Sequence, residues 1–232
     1  MAEPALLAVR GLTKRFGGIV ANSAIDLVLP ATGIHAVIGP NGAGKTTFIA
    51  QLCGELMPDA GSVHFRGADI TRWPPYRRAR AGLMRSFQVT SIMPSLTALE
   101  HTMLAVRCAP QGAAREALQR VGLAGREDTP AHALSHGERR QLELAMVIAP
   151  RPRLLLLDEP AAGTGKEEAL RTTELIAALG QDHAILLVEH DMDMVFALAQ
   201  RITVLANGAC IASGAPAEIR DNAAVKQAYL GD

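Results

Sequence analysis

The chain has 232 residues, 49% of them hydrophobic and only 3% aromatic, and its 23 basic residues balance 23 acidic ones. A chain of this size buries about 70–75% of the surface it exposes when unfolded, enough for one substantial core that aliphatic side chains must build. Zero net charge argues against a nucleic-acid partner, the lack of any run of about 18 apolar residues argues against a membrane-spanning helix, and the acidic start Met1-Ala2-Glu3-Pro4 argues against a signal peptide.

In chain order, residues 25–29 (IDLVL) form the first strand-like run, closed by Pro30. Residues 34–38 (IHAVI) lead into a glycine-rich turn and then a helical pattern over 45–56. Residues 62–65 (SVHF), between Gly61 and Gly67, read as an antiparallel strand like the first. Between about 89 and 150 the spacing becomes helical, with Leu99, Met103, Leu104, Ala117, Leu118 and Val121 as markers and Gly and Pro as punctuation. The continuous apolar runs at 154–157 (LLLL) and 184–188 (AILLV) suit strands of a parallel sheet buried on both faces. Asn207-Gly208 between two further apolar runs signals a hairpin. Cys53, Cys108 and Cys210 are far apart and odd in number, so they read as small apolar filler in a reducing compartment.

Two motifs carry chemistry. Gly39-Pro40-Asn41-Gly42-Ala43-Gly44-Lys45-Thr46-Thr47 matches G-x-x-x-x-G-K-[ST] between a strand and a helix. Its glycines let successive N–H groups converge on phosphate oxygens, and the helix N-terminus adds positive potential. Lys45 supplies a mobile charge for the outer phosphates, and the Thr46 hydroxyl is placed to ligate Mg²⁺. The second motif is Asp158-Glu159, directly after the 154–157 run. A buried strand delivers both carboxylates to the sheet edge where ligands bind in open α/β folds. Asp158 is expected to hold Mg²⁺, and Glu159 to polarise the attacking water.

Leu134-Ser135-His136-Gly137-Glu138, followed by Arg139-Arg140-Gln141, resembles the signature of the ABC ATPases, usually Leu-Ser-Gly-Gly-Gln. Gln88, His190 and Phe16 match, in order, the family's Q-loop glutamine, its switch histidine and its adenine-stacking aromatic. The resemblance covers essentially the whole chain. It implies an α/β fold with a P-loop core sheet, an antiparallel β part near the N-terminus and a helical subdomain around 89–150, all in one domain. It also implies ATP and Mg²⁺ as ligands. The P-loop residues and Phe16 would hold the nucleotide, Gln88 would contact Mg²⁺ or the attacking water, and Ser135, Gly137 and Glu138 would receive the nucleotide of an opposing subunit. Arg15-Phe16-Gly17-Gly18, Glu189-His190-Asp191-Met192 and Ala228-Tyr229-Leu230-Gly231 further resemble importer ATPases for branched-chain amino acids, urea and short amides. Those importers work with membrane-spanning permease subunits, an extracytoplasmic binding protein and a second, different ATPase, at the cytoplasmic face of the membrane. Two departures from the pattern stand out: His136 and Glu138 within the signature, and Thr164-Gly165 where many relatives carry Asp or Asn.

Rival readings are weaker. His132 and His136 have a zinc-binding spacing, but Ala133 stands where a metalloprotease carries glutamate. Arg77, Arg78, Arg80 and Arg85 read as a solvated helix face rather than a nucleic-acid patch. A non-catalytic ATP-gated scaffold is disfavoured because Lys45, Asp158, Glu159 and His190 are all present.

Overall fold

The computed structural model describes residues 5–86, 92–106 and 111–230; Gln88, the adjoining segment 89–91 and Cys108 lie outside them. Strand β1 (Leu7–Phe16) pairs antiparallel with β2 (Ile19–Leu29) and with β4 (Ala60–Phe65), which pairs with β5 (Ala68–Asp69) to give the order β2-β1-β4-β5. Ile25, Leu27 and Leu29 point inward while Asp26 and Val28 face out, the period of two that a half-buried strand needs. β1 shows no such clean alternation in its sequence. Its register shifts between Val9 and Leu12, around Gly11 at φ 56°, and the bulge resets which face each residue takes.

The second sheet holds β3 (Gly33–Ile38), β6 (Leu83–Arg85), β7 (Leu154–Asp158), β8 (Ala184–Val188), β9 (Arg201–Ala206) and β10 (Ala209–Gly214) in the order β10-β9-β3-β8-β7-β6. All its pairings are parallel except the β9–β10 hairpin. The turn is Asn207 at φ 50° and Gly208 at φ 78°, two left-handed positions in succession, the backbone that an Asn-Gly hairpin favours.

Every residue of β7 and β8 is buried, and the two faces serve different cores. Leu154, Leu156, Leu186 and Val188 pack with the antiparallel sheet and with Phe48, Ile49 and Leu52 of α1 (Lys45–Cys53). Leu155, Leu157, Ile185 and Leu187 pack with α4 (Gln111–Arg120), α5 (His136–Ile148) and α6 (Lys166–Asp182). The remaining helices are α2 (Pro75–Arg80), α3 (Ala98–Ala105), α7 (Met192–Leu198), α8 (Pro216–Asp221) and α9 (Ala223–Leu230). Among the described residues, no helix is long and apolar enough to cross a membrane.

Helix α1 stops three residues earlier than its pattern suggests, because Gly54 turns left-handed at φ 79° and its N–H caps the carbonyls of Ala50 and Gln51. The basic cluster is also not a uniform solvated face. Arg77 stacks 3.9 Å over the Trp73 ring and Arg80 is exposed, but Arg78 is buried. Its guanidinium donates to the carbonyls of Gln51 (2.7 Å), Leu52 (2.7 Å), Thr71 (2.8 Å) and Trp73 (3.0 Å), so it joins Gly54 in capping the end of α1 and ties that end to the 71–73 turn. Arg78→Met strips these carbonyls of their donors and is expected to cost about 2–4 kcal/mol, a melting point lower by about 5–15 °C. Arg80→Met is expected to melt like the parent, and equal melting of the two variants would remove Arg78 from this role.

Candidate functional site

At the C-terminal edge of the parallel sheet, four strand ends stand side by side in the order β3, β8, β7, β6. They deliver, respectively, the Gly39 loop, Glu189-His190, Asp158-Glu159 and Arg85-Ser86. A surface hollow here is lined by Ile19, Val20 and Ala21 on one side, by the loop from Asn41 to Thr47, and by Glu159 and Asn207.

The loop is braced from behind. A Cβ on Gly39 would run into the Leu205 carbonyl, and one on Gly44 into the Ala21 carbonyl and Asn22 Nδ2, so the chain closes tightly at both places. Gly42, at φ 79°, would meet nothing and faces open space. The fully buried Asn22 donates to the Gly44 carbonyl (3.1 Å) and accepts from Gln51 Nε2 (2.7 Å), tying β2 to α1. The Asn207-Gly208 turn completes the brace, with Gly208 N–H donating to the Ala43 carbonyl and Ser23 N–H donating to the Gly208 carbonyl. Lys45 Nζ donates to the carbonyls of Gly39 (2.6 Å) and Pro40 (3.1 Å). Burial lowers its pKa, and the nearby Glu159 and Asp158 oppose that shift.

Glu159 has a left-handed backbone at φ 49°, a conformation costing a non-glycine residue about 1–3 kcal/mol unless its surroundings impose it. They do. Its N–H donates to Val188 O (2.8 Å), and its carbonyl accepts from Arg140 Nη2 (2.8 Å) and from Ala162 N–H (3.1 Å). Arg140 Nε also holds the Pro160 carbonyl at 2.9 Å. An arginine of α5 therefore sets the direction of the Glu159 side chain. Above Glu159, His190 is 64% exposed, with Nδ1 3.7 Å from Glu159 Oε1 and 3.6 Å from Glu189 Oε2. Glu189 is buried and accepts backbone N–H bonds from Ala161 (3.2 Å), His190 (2.9 Å) and Asp191 (3.3 Å). Asp158 is 3% exposed and accepts from Arg85 Nη2 at 2.9 Å.

The residues present fit Mg-ATP. Gly42 leaves the loop open toward the hollow, the loop N–H groups head α1, and Thr46 with Asp158 offers a hydroxyl and a carboxylate, the hard oxygen donors Mg²⁺ takes. The other expected site residues fall elsewhere. Phe16 ends β1, 49% exposed and under Lys14 Nζ at 5.6 Å, and does not line the hollow. Ser135, Gly137 and Glu138 line a separate cleft with Arg120, Glu168 and Arg171. There Ser135 caps α5 by accepting from Glu138 N–H (3.2 Å), while the Glu138 carboxylate accepts from Ser135 N–H (2.8 Å). The Ser135 N–H and the Arg126 guanidinium, 2.7 Å away, hold that carboxyl below its usual pKa. Glutamine could make the same capping box; what glutamate adds here is the ion pair with Arg126. Glu189, Arg140, Asn22 and Gln51 were missed as site residues; the acid before His190 and the arginine pair after Glu138 were the available signals.

The family described as ABC transporter matches residues 23–162, and the family described as branched-chain amino acid ATP-binding cassette transporter matches residues 209–232. The chain is 37% identical to the high-affinity branched-chain amino acid transport ATP-binding protein BraF of Pseudomonas aeruginosa, over 100% of both chains. It is also 37% identical to the ATP-binding protein LivG of Salmonella typhimurium, again over 100% of both. An ATP-binding cassette of an ABC transporter solved in its ADP conformation superposes with a TM-score of 0.90, at 25% identity, covering 99% of this chain and 100% of that one.

Glu189→Gln turns one acceptor of the buried staple into a donor that faces backbone N–H groups. It is expected to cost about 1.5–3 kcal/mol in a thermal melt. Phosphate release should fall at least about tenfold, because misplacing a catalytic group costs up to about 10²-fold. A variant that melts and turns over like the parent would free Glu189 from this task.

Proposed function

The chain belongs to the ABC transporter family of ATP-binding proteins, and from that membership we propose that it powers uptake of branched-chain amino acids. It is one domain that hydrolyses ATP at the P-loop edge of its parallel sheet. The observation that carries the site assignment is the meeting of the Asn41–Thr47 loop and Glu159 in one hollow, with His190 beside Glu159. Mg²⁺, when bound, would supply charge neutralisation to the outer phosphates. Asp158 and Thr46 hold that ion, with Gln88 as a further contact. Lys45 and the loop N–H groups orient the phosphates. Glu159 accepts the proton of the attacking water, and its clamped backbone keeps the carboxylate aimed without reorganisation. His190 donates to the γ-phosphate. Phe16, outside the hollow but paired with Ile19 of its lining, stacks on the adenine in this reading.

Ser135, Gly137 and Glu138 line a different cleft from the P-loop, so in this reading they serve the nucleotide of a second ATPase subunit packed head to tail. That subunit is a different chain, and the pair docks beneath membrane-spanning permease subunits at the cytoplasmic face, fed by an extracytoplasmic binding protein. Differential contacts to the γ-phosphate bias the pair between closed and open states. The match over residues 209–232 and the names of the full-length relatives favour branched-chain amino acids over urea or short amides as cargo.

Two experiments test this reading. By calorimetry, Lys45→Ala should lose ATP binding, whereas Glu159→Gln should retain it and slow phosphate release by about 10²–10⁴-fold; wild-type behaviour of both variants would overturn the site. In cells, deletion of the chain should abolish high-affinity uptake of radiolabelled leucine, with rescue by the parent and not by Glu159→Gln. Intact leucine uptake after deletion would overturn the cargo.

A further inference from the structure

Arg85 has a fork geometry that the ATPase chemistry above does not use. It ends β6, beside β7, and its side chain is 14% exposed. Nη2 contacts Asp158 Oδ2 at 2.9 Å and Nη1 contacts Glu55 Oε2 at 2.6 Å, while Nε is buried without a hydrogen-bond partner. The two carboxylates differ sharply: the Asp158 side chain is 2% exposed and that of Glu55 is 40% exposed. Glu55 directly follows Gly54, the residue that caps the C-terminal end of α1, and the first turn of that helix carries Lys45 and Thr46. One guanidinium therefore links the far end of the phosphate-binding helix to the strand end that presents the metal carboxylate.

A carboxylate as buried as Asp158 needs a partner of opposite charge, since removing one partner of a buried pair leaves an uncompensated ion. The planar guanidinium fork supplies that charge and fixes the carboxylate in direction as well. A dication at the same carboxylate would make the arginine's charge redundant there, and the two cations would repel at close range. Glu55 gives Arg85 a second partner, so the arginine can release Asp158 without being orphaned.

We propose that Arg85 is a positioning residue that holds and orients the Asp158 carboxylate when no metal is bound and passes it to Mg²⁺, with Glu55 retaining the freed guanidinium. The inference rests on the assignment of Asp158 to the metal. It gives the two partners of Arg85 opposite effects: losing Arg85 removes a competitor for Asp158, and losing the Glu55 charge concentrates Arg85 on Asp158.

The test is a Mg²⁺ titration of the full-length chain with ATP present, read by thermal melting and by calorimetry rather than by turnover. Arg85→Met should lower the melting point without metal, and its Mg²⁺ half-saturation should move to about three- to tenfold lower concentration. Glu55→Gln should move it to higher concentration by a similar factor, and Arg85→Lys, which keeps the charge but not the fork, should fall between Arg85→Met and the parent. If Arg85→Met does not fold, the direction of the Glu55→Gln shift decides. Half-saturation within about twofold of the parent in the folded variants, or both variants shifting the same way, overturns the hand-over. Asp158→Asn separates the two levels of the argument. If it leaves the Mg²⁺ titration unchanged, the metal assignment itself fails; if it abolishes the Mg²⁺ response while Arg85 and Glu55 prove silent, only the role of Arg85 fails.

Discussion

The backbone of Glu159 is the constraint around which the site is organised. A non-glycine residue held at φ 49° must be forced there. Here β8 takes its N–H, Arg140 of α5 takes its carbonyl, and Arg140 also takes the carbonyl of Pro160. The turn that follows β7 cannot relax toward a regular conformation without breaking all three bonds. The arginine that sets this turn belongs to the helix that Ser135 and Glu138 cap. A shift of α5 would therefore reach the Glu159 carboxylate through one side chain, across a pair of hydrogen bonds to main-chain oxygens.

The buried charges of this region each have a fixed partner. Asp158 faces Arg85, Lys45 is held by two loop carbonyls, and Glu189 is wrapped by three backbone N–H groups. Buried ions tolerate only this arrangement, because an unpartnered one costs several kcal/mol. The neutral polar pair Asn22–Gln51 does similar work behind the phosphate loop at a smaller desolvation cost. Hydrophobic packing supplies the rigidity. Two cores lie on opposite faces of the same strands, so the edge that carries the ligands is pinned from both sides.

Much of this was legible in the residue order. The runs 154–157 and 184–188 read as strands buried on both faces, and they are β7 and β8. Asn207-Gly208 predicted its own hairpin because two left-handed positions in succession exclude most other residue pairs. β1 was illegible because its bulge breaks the period of two. Arg78 was misread because its neighbours Arg77 and Arg80 are exposed, and nothing local reveals that its guanidinium reaches four carbonyls at 51, 52, 71 and 73.

The sequence by itself determined the covalent pattern of the phosphate loop, the acid pair and the order of the family's motifs. Each of these is set by local conformational preference and by residue chemistry over a few consecutive positions. Only the tertiary structure decided which groups stand against them: Arg140 against Glu159, Glu189 beneath His190, Arg85 against Asp158, and the hairpin turn behind the loop. These pairs join residues far apart in the chain. Their partners are chosen by strand order and helix docking, and those follow from burying the two cores together rather than from any one segment's pattern.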